Sequence, residues 1–254
     1  MQQQRSQPRL TRKEKRVLKN PNSKHEENPT NSKLNFNLKY IEPLTANQKL
    51  TFDSFEKDKN LLLHGIAGTG KSFISLYLSL RQILDQKDPR YKKVIIVRSV
   101  VPTRDMGFLP GNNKDKAKVY EAPYQAIFTE LFGRGDAYEY LKSKNVVDFI
   151  STSFIRGITL SDSIIVVDEI ANMSSHELDS IITRIGRNCR VLFCGDFRQS
   201  DFTKDQERQG LKDFMKILHR MKSFEFIDFQ KEDIVRSNLV KEYIIAKDNL
   251  NMNF

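Results

Sequence analysis

Residues 65–72 read GIAGTGKS and lie between the apolar run LLLH (61–64) and the amphipathic run FISLYLSLRQIL (73–84). Three of these eight residues are glycines, which let the backbone curve so that its N–H groups point inward. The segment satisfies the pattern G-x-x-x-x-G-K-[ST], with a strand predicted before it and a helix after it. The sequence therefore predicts a phosphate-binding loop at the N-terminus of a helix, where the helix dipole favours anions.

The residue types of this loop predict a role for each position. Lys71 can reach the β and γ phosphates of a nucleotide, and Ser72 can place its hydroxyl on Mg²⁺. The other positions offer backbone N–H groups to the phosphate oxygens. The predicted nucleotide contacts are Gly65, Ala67, Gly68, Thr69, Gly70, Lys71 and Ser72.

The rest of the chain alternates short apolar runs with helical stretches. Several of the apolar runs are continuously hydrophobic, as is typical of strands covered by helices on both faces. This alternation predicts an α/β fold with a mainly parallel sheet. The predicted strands are 61–64, 93–98, 146–151, 163–169, 190–196 and 223–229, and the predicted helices are 72–84, 174–186 and 232–247.

The apolar run SIIVVDE (163–169) ends in two adjacent carboxylates. Beside a phosphate loop, Asp168 would hold Mg²⁺ through water, and Glu169 would orient and deprotonate the attacking water. The alternative is a helix cap, a common use of acidic residues after a strand. We favour the catalytic interpretation, and the adjacent glutamate indicates hydrolysis rather than phosphate transfer to a small acceptor.

A third polar motif, GDFRQ (195–199), also follows an apolar strand. In a parallel sheet, Asp196 and Gln199 would emerge at the same carboxyl edge as the phosphate loop. Gln199 can then bond the γ-phosphate and the attacking water. By itself, the motif is as typical of an ordinary loop as of a catalytic site. Its position in the sequence, after the other two motifs, favours the catalytic role.

The net charge of +10 is concentrated near the N-terminus, where residues 1–40 carry +7 and leave only +3 for the remainder. This region is rich in Gln, Asn, Ser and Pro and has few large apolar residues. Because it cannot offset its ordering entropy by burial, we predict a disordered basic arm over 1–35 and a folded core over 36–250. The arm either contacts nucleic acid phosphates or acts only as a solubilising tail.

Composition also bears on the location of the protein. No apolar run approaches the roughly 20 residues of a membrane helix, and the N-terminus lacks the apolar stretch of a secretion signal. The two cysteines, Cys189 and Cys194, fit no metal or redox spacing and are interpreted as reduced structural thiols. We expect a cytoplasmic protein with no membrane partner.

The order of these motifs resembles the ATPase core of superfamily 1 helicases and, more narrowly, the PhoH family of bacterial and phage ATPases. The resemblance runs from about residue 41 to residue 247. It implies a single RecA-like P-loop NTPase domain that hydrolyses ATP with Mg²⁺. The stretches that carry it are PLTANQ, GIAGTGKS, VRSVVPTRDMGFLPG, FIRGITLSDSIIVVDEIAN, GDFRQSD and DIVRSNLV.

Matching residues extend the implied site. Gln48 in PLTANQ would read adenine and give a preference for ATP. Arg236 in DIVRS would stabilise charge on the γ-phosphate in the transition state. The residues implied in nucleic acid contact or coupling are Arg98, Arg156 and Asn172.

A guanine nucleotide is disfavoured as the substrate, because the candidate guanine motif NKDK (113–116) has Lys116 where N-K-x-D requires Asp. Superfamily 1 helicases couple two ATPase cores, whereas this chain has room for one. The resemblance therefore implies a ring homo-oligomer, a hexamer, in which a neighbouring subunit supplies an arginine.

Three functions remain open at this stage. The first is an ATPase that acts on single-stranded nucleic acid, RNA in preference to DNA, with helicase activity undecided. The second is an ATP-driven ring that remodels or recruits a protein partner without unwinding nucleic acid. The third is an ATP-binding switch with negligible turnover, against which Glu169 argues.

Overall fold

All six apolar runs form strands in the computed structural model, which describes residues 37–85, 88–100, 113–196 and 205–250. The sheet has the order β3-β2-β4-β5-β1-β6, and each neighbouring pair is parallel. The predicted parallel sheet is thereby confirmed, and the carboxyl ends of the strands share one edge. The strands are β1 (Asn60–Gly65), β2 (Lys93–Arg98), β3 (Val147–Ser151), β4 (Ser163–Asp168), β5 (Cys189–Gly195) and β6 (Phe224–Phe229).

The strand order sets the distances along this edge. Strand β5 lies between β1, which precedes the phosphate loop, and β4, which precedes the acid pair. The ends of β1 and β4 are thus two strand spacings apart, about 10 Å. On the other side of β4, Arg98 of β2 is in register with Asp168 of β4 and with Ser151 of β3. The carboxyl ends of these three strands therefore lie side by side.

Seven helices occur in the described ranges, and they cover both faces of the sheet. Phe193 and neighbouring strand residues pack against Leu178 and Phe214 on one face. Cys194, which points to the opposite face, bonds Ser75 of the helix after the phosphate loop, at 3.1 Å. The helices are α1 (Ala46–Glu56), α2 (Lys71–Leu84), α3 (Asn113–Phe132), α4 (Ala137–Ser143), α5 (Ser175–Ile182), α6 (Asp205–His219) and α7 (Asn238–Asn249). The predicted α/β fold with helices on both faces is confirmed.

The helix predicted over 174–186 is too long at its C-terminus, since α5 ends at Ile182. Ser174 caps α5 as predicted. Beyond the helix, Ile185 pairs with Leu160, and the Gly186 N–H donates to the Leu160 carbonyl at 2.6 Å. These contacts with a distant segment replace the helical hydrogen bonds.

The helix predicted over 232–247 begins too early, since α7 begins at Asn238. A short 3₁₀ turn occupies Lys231–Asp233. After it, the Val235 N–H donates to the Gly68 carbonyl at 3.0 Å. The chain before α7 is therefore extended because it is bonded to the phosphate loop.

No described helix is long and apolar enough to cross a membrane. Both cysteines are free thiols, and burial raises the pKa of Cys194. Cys194 therefore remains a protonated, structural thiol at neutral pH. The predicted basic arm over 1–35 lies outside the described residues and stays a prediction.

Candidate nucleotide-binding site

The phosphate loop follows β1 and leads directly into α2. Gly65 has φ +115°, and a Cβ there would lie only 2.1 Å from the Phe229 carbonyl oxygen. This position therefore requires glycine, because β1 and β6 approach closely where the loop begins. Gly70, with φ +85°, is the residue that precedes the first turn of α2. The loop and the helix N-terminus have the arrangement that the sequence predicts.

Lys71 lies inside this loop and is only 9% exposed. Its ammonium donates to the carbonyls of Gly65 at 2.8 Å and Ile66 at 2.7 Å, and to Thr69 Oγ1 at 3.2 Å. Burial lowers the pKa of Lys71, and the carboxylate of Asp196 opposes that shift. The structure thus places the ammonium against the loop that would hold phosphates.

The two predicted metal ligands are in direct contact. Ser72 Oγ donates to Asp168 Oδ1 at 2.6 Å, and Asp168 is 6% exposed at the end of β4. Hydroxyl and carboxylate oxygens are ligands that Mg²⁺ prefers. The described residues contain no cluster of three or more His, Cys, Asp or Glu side chains that could hold a metal. The Ser72 hydroxyl and the Asp168 carboxylate fit Mg²⁺, which keeps several waters and binds substrate phosphates.

Tyr124 of α3 is a member of the site that the sequence did not predict. Its hydroxyl donates to Asp168 Oδ2 at 2.9 Å, and its side chain is 1% exposed. Burial raises the pKa of Tyr124 well above its ordinary value, and Asp168 raises it further. The hydroxyl therefore remains a donor at physiological pH and fixes the orientation of the carboxylate.

Arg98 completes this group from the end of β2. Burial alone would lower the pKa of Arg98, but Tyr124, Asp168 and Glu169 outweigh that effect and raise it. Arg98 also hydrogen-bonds Tyr124. The structure thus places this predicted nucleic acid or coupling residue against Tyr124, where it interacts electrostatically with Asp168 and Glu169.

Glu169 directly follows β4 and is exposed, whereas Asp168 is buried. Its φ of +56° is the left-handed conformation, which is uncommon for residues other than glycine. It precedes the 3₁₀ turn Ile170–Asn172, and its side chain does not cap that turn. The geometry therefore does not support the helix-cap alternative. Within the described residues, the buried Asn172 Oδ1 has no hydrogen-bond partner.

Gln48 lies against the phosphate loop and is 3% exposed. Its Nε2 donates to the Thr69 carbonyl at 3.0 Å, and its Oε1 accepts from the Leu44 N–H at 2.7 Å. Both ends of the amide are engaged, so Gln48 connects the start of α1 to the loop. Recognition of adenine by Gln48 stays a prediction.

The remaining predicted residues have different positions. Arg236 is exposed, and its Cγ lies 2.9 Å from the point where a Cβ on Gly68 would stand. It therefore contacts the phosphate loop. Arg156 is exposed on the segment that follows β3. Gln199 lies outside the described residues, so its role stays a prediction.

A parallel α/β sheet with a lysine-containing glycine loop after β1, and a hydrogen bond from Ser72 after that loop to Asp168 at the end of β4, defines a P-loop nucleoside triphosphatase. The profile of the family described as PhoH-like protein matches residues 40–247, which is most of the chain. The protein belongs to the PhoH family, as the resemblance indicated.

Individual relatives agree with this assignment. The chain is 30% identical over 212 residues to a PhoH-like protein of Mycobacterium leprae, with 82% of this chain and 58% of the relative covered. It is 29% identical over 196 residues to a PhoH-like protein of Bacillus subtilis, with 76% of this chain and 60% of the relative covered. The chain thus spans about three fifths of the length of these relatives.

Two solved helicase structures are also similar to the chain. The UvsW helicase of bacteriophage T4 is 18% identical with a TM-score of 0.45, covering 75% of this chain and 61% of that one. The Pif1 helicase of Candida albicans is 17% identical with a TM-score of 0.40, and the match covers 83% of this chain and 44% of the helicase chain.

Proposed function

We propose that the protein hydrolyses ATP with Mg²⁺ and acts on single-stranded nucleic acid, RNA in preference to DNA. The observation that carries the proposal is the 2.6 Å hydrogen bond between Ser72 and Asp168. It joins the phosphate loop and the acid pair in one site, with the exposed carboxylate of Glu169 beside them.

Each residue of the site has a defined task in this reaction. The N–H groups of the loop and the ammonium of Lys71 bind the β and γ phosphates. Glu169 orients the attacking water and accepts its proton. Tyr124 holds Asp168 in the orientation that a metal ligand needs. Bound Mg²⁺ would supply positive charge against the phosphate oxygens.

Three further residues act around the phosphates in this proposal. Arg236, which contacts the loop at Gly68, stabilises negative charge that develops on the γ-phosphate. Gln199 bonds the γ-phosphate and the attacking water. Gln48 gives the preference for adenine.

The nucleic acid would bind along the carboxyl edge of the sheet. Arg98 ends β2 at the level of Asp168, so a strand contacting Arg98 would lie beside the nucleotide. Arg156 is exposed after β3, the next strand along this edge. Asn172, with its buried side-chain oxygen three residues beyond the exposed Glu169, would couple the two sites. The basic arm over 1–35 adds electrostatic attraction to phosphates.

A ring of identical subunits, a hexamer, is part of the proposal. Helix α7 contacts the phosphate loop through Ile244 near Gly68. On its other surfaces Leu239 is 77% exposed and Tyr243 is 62% exposed. Exposed apolar residues on a helix that contacts the phosphate loop support a subunit contact there, through which a neighbour would supply an arginine.

ATP hydrolysis measured without nucleic acid, with single-stranded RNA and with single-stranded DNA tests the proposal. Stimulation by RNA above that by DNA is the expected result. Lys71→Ala is expected to abolish ATP binding, whereas Glu169→Gln should bind ATP and stop hydrolysis, because it removes only the base. Glu130→Gln, which changes an exposed glutamate of α3, is the matched control.

Two outcomes would contradict parts of the proposal. Normal hydrolysis by Glu169→Gln would show that Glu169 is not the general base. Hydrolysis that neither nucleic acid stimulates would favour the alternative, a ring that remodels or recruits a protein partner.

A further inference from the structure

We propose that Phe154 is a stacking platform for an unpaired base of single-stranded nucleic acid, with Arg156 binding the adjoining phosphate. This inference rests on the proposed action on nucleic acid and names a residue that carries it. The two side chains are exposed on the segment that follows β3. Base stacking on an aromatic ring is tolerant of sequence because every base has a π-face.

Phe154 is displayed on a well-anchored turn. Its side chain is 61% exposed, whereas Thr152 and Ile155 around it are 5% and 0% exposed. Ile155 belongs to the core that packs α5 against the sheet. The ring is therefore presented to solvent while the backbone that carries it is fixed, so stacking would require little further ordering.

Hydrogen bonds hold this turn, a 3₁₀ helix over Thr152–Phe154. Ser151 Oγ caps it by accepting from the Ser153 N–H at 3.3 Å. Thr152 Oγ1 donates to Glu177 Oε1 at 2.5 Å.

The turn lies next to the nucleotide site. Ser151, which ends β3, is in register with Arg98, and Arg98 is in register with Asp168. Two strand spacings separate β3 from β4, which places Ser151 about 10 Å from the proposed metal ligand. A base on Phe154 would thus be bound on the same edge as ATP.

The charge around Phe154 suits a polyanion. The segment 152–161 contains Arg156 and no Asp or Glu. Ile158, four residues after Phe154, is 37% exposed. Glu177, the acidic residue bonded to the turn, is half-buried. An exposed aromatic ring two residues from an exposed arginine offers a stacking surface and a cation for phosphate, the two elements with which proteins bind single strands.

Glu177 also connects the platform to the nucleotide site. Besides Thr152, its carboxylate accepts from Ser99 at 2.8 Å and from the Ser174 N–H at 2.8 Å. Ser99 follows Arg98, and Ser174 follows the turn that begins after Glu169. Glu177 would therefore transmit a movement of the Phe154 turn to the segment after Arg98 and to the segment after Glu169.

The test is equilibrium binding of fluorescent oligouridylate and oligothymidylate to the full chain, with Phe154→Ala and Phe154→Tyr compared. Phe154→Ala is expected to weaken binding of both strands about 5- to 150-fold, the equivalent of about 1–3 kcal/mol per stacked base. Phe154→Tyr keeps the ring and should bind as the wild type does. Ile217→Ala, at a site 58% exposed on α6, is the control and should change neither binding nor hydrolysis.

Two further readouts separate stacking from a structural effect. A fluorescent adenine analogue in the strand should be quenched by the wild type and by Phe154→Tyr, and not by Phe154→Ala. Arg156→Ala should reduce the salt dependence of binding by about one phosphate contact.

The outcomes distinguish this inference from the function on which it rests. Equal binding by the wild type and Phe154→Ala would overturn the platform and leave the proposed function intact. Absence of binding to either strand by the wild type would overturn both the nucleic acid function and the platform.

Discussion

Asp168 is held by two hydroxyl groups from distant parts of the chain. Ser72 donates to one carboxylate oxygen and Tyr124 to the other. Ser72 and Asp168 would together hold Mg²⁺ in the proposed reaction, and Tyr124 orients the carboxylate through its other oxygen. Tyr124 is therefore a positioning residue, which acts on the reaction through Asp168.

Tyr124→Phe removes this donor and leaves the ring in place. Loss of a hydrogen bond to a charged group is worth about 1.5 kcal/mol or more, so we expect about a tenfold weaker apparent affinity for Mg²⁺. A magnesium titration of ATP hydrolysis, with kcat and KM separated, is the measurement. Tyr40→Phe removes a hydroxyl at a position 77% exposed and is the matched control. An unchanged magnesium titration would show that Asp168 needs no such support.

Helix α5 begins with a complete capping box, in which Ser174 and Glu177 each bond the backbone of the other. Glu177 also accepts from Thr152 and Ser99, so one side chain joins the helix to the ends of β3 and β2. Burial alone would raise the pKa of Glu177, but the hydrogen bonds from these residues outweigh it and lower the pKa. The lowered pKa means that the ionised carboxylate stabilises the fold.

Glu177→Gln should therefore destabilise the protein in a pH-dependent manner. Loss of the charge is expected to reduce the free energy of unfolding by about 1–2 kcal/mol at neutral pH. Because folding lowers the pKa of Glu177, the extra stability of the wild type is fully present above the pKa of the unfolded chain, about 4.3. This extra stability is lost as the pH falls through the pKa of Glu177 in the folded protein. The free energy of unfolding of both proteins, measured by urea unfolding from about pH 7 to about pH 4 and below, gives the difference. A constant difference between the two proteins across the acid range would refute the charge effect, and Glu130→Gln should show no difference.

Helix α7 lies at the surface, and none of its residues is buried. The contacts that hold it include the Lys231–Asp248 ion pair at 2.8 Å, the hydrogen bond from Lys231 to Asn249 at 2.7 Å, and Ile244 against the phosphate loop. Leu239 and Tyr243 remain exposed. If subunits associate here, the nucleotide site of one would face the next.

Mass measurement in solution tests the ring, with a hexamer as the expected result. Changing Leu239 and Tyr243 together to Glu should give a smaller species with lower ATP hydrolysis, because charges are unfavourable in an apolar contact. Ile217→Glu, at an exposed apolar site on α6, should leave the mass unchanged. A wild-type monomer with full ATPase activity would refute the ring.

Much of the fold was predictable because it depends on local patterns. The continuous apolar runs predict all six strands, and the loop pattern predicts the start of α2. Helix α3 was not predicted, although Tyr124, Phe128 and Leu131 recur at steps of four and three and are buried on one face. Pro123 and the many polar residues around them weaken that signal.

The sequence by itself determined which residue types form the candidate nucleotide site: the glycines of the loop, Lys71, Ser72 and the acid pair at the end of β4. Their roles follow from motif and strand position, which are local properties. The tertiary structure decided which distant side chains reach them. Tyr124 meets Asp168 across 44 residues, and Gln48 meets the Thr69 carbonyl across 21. Such contacts depend on the order of the strands and on helix packing, because only these bring residues remote in sequence to one edge of the sheet.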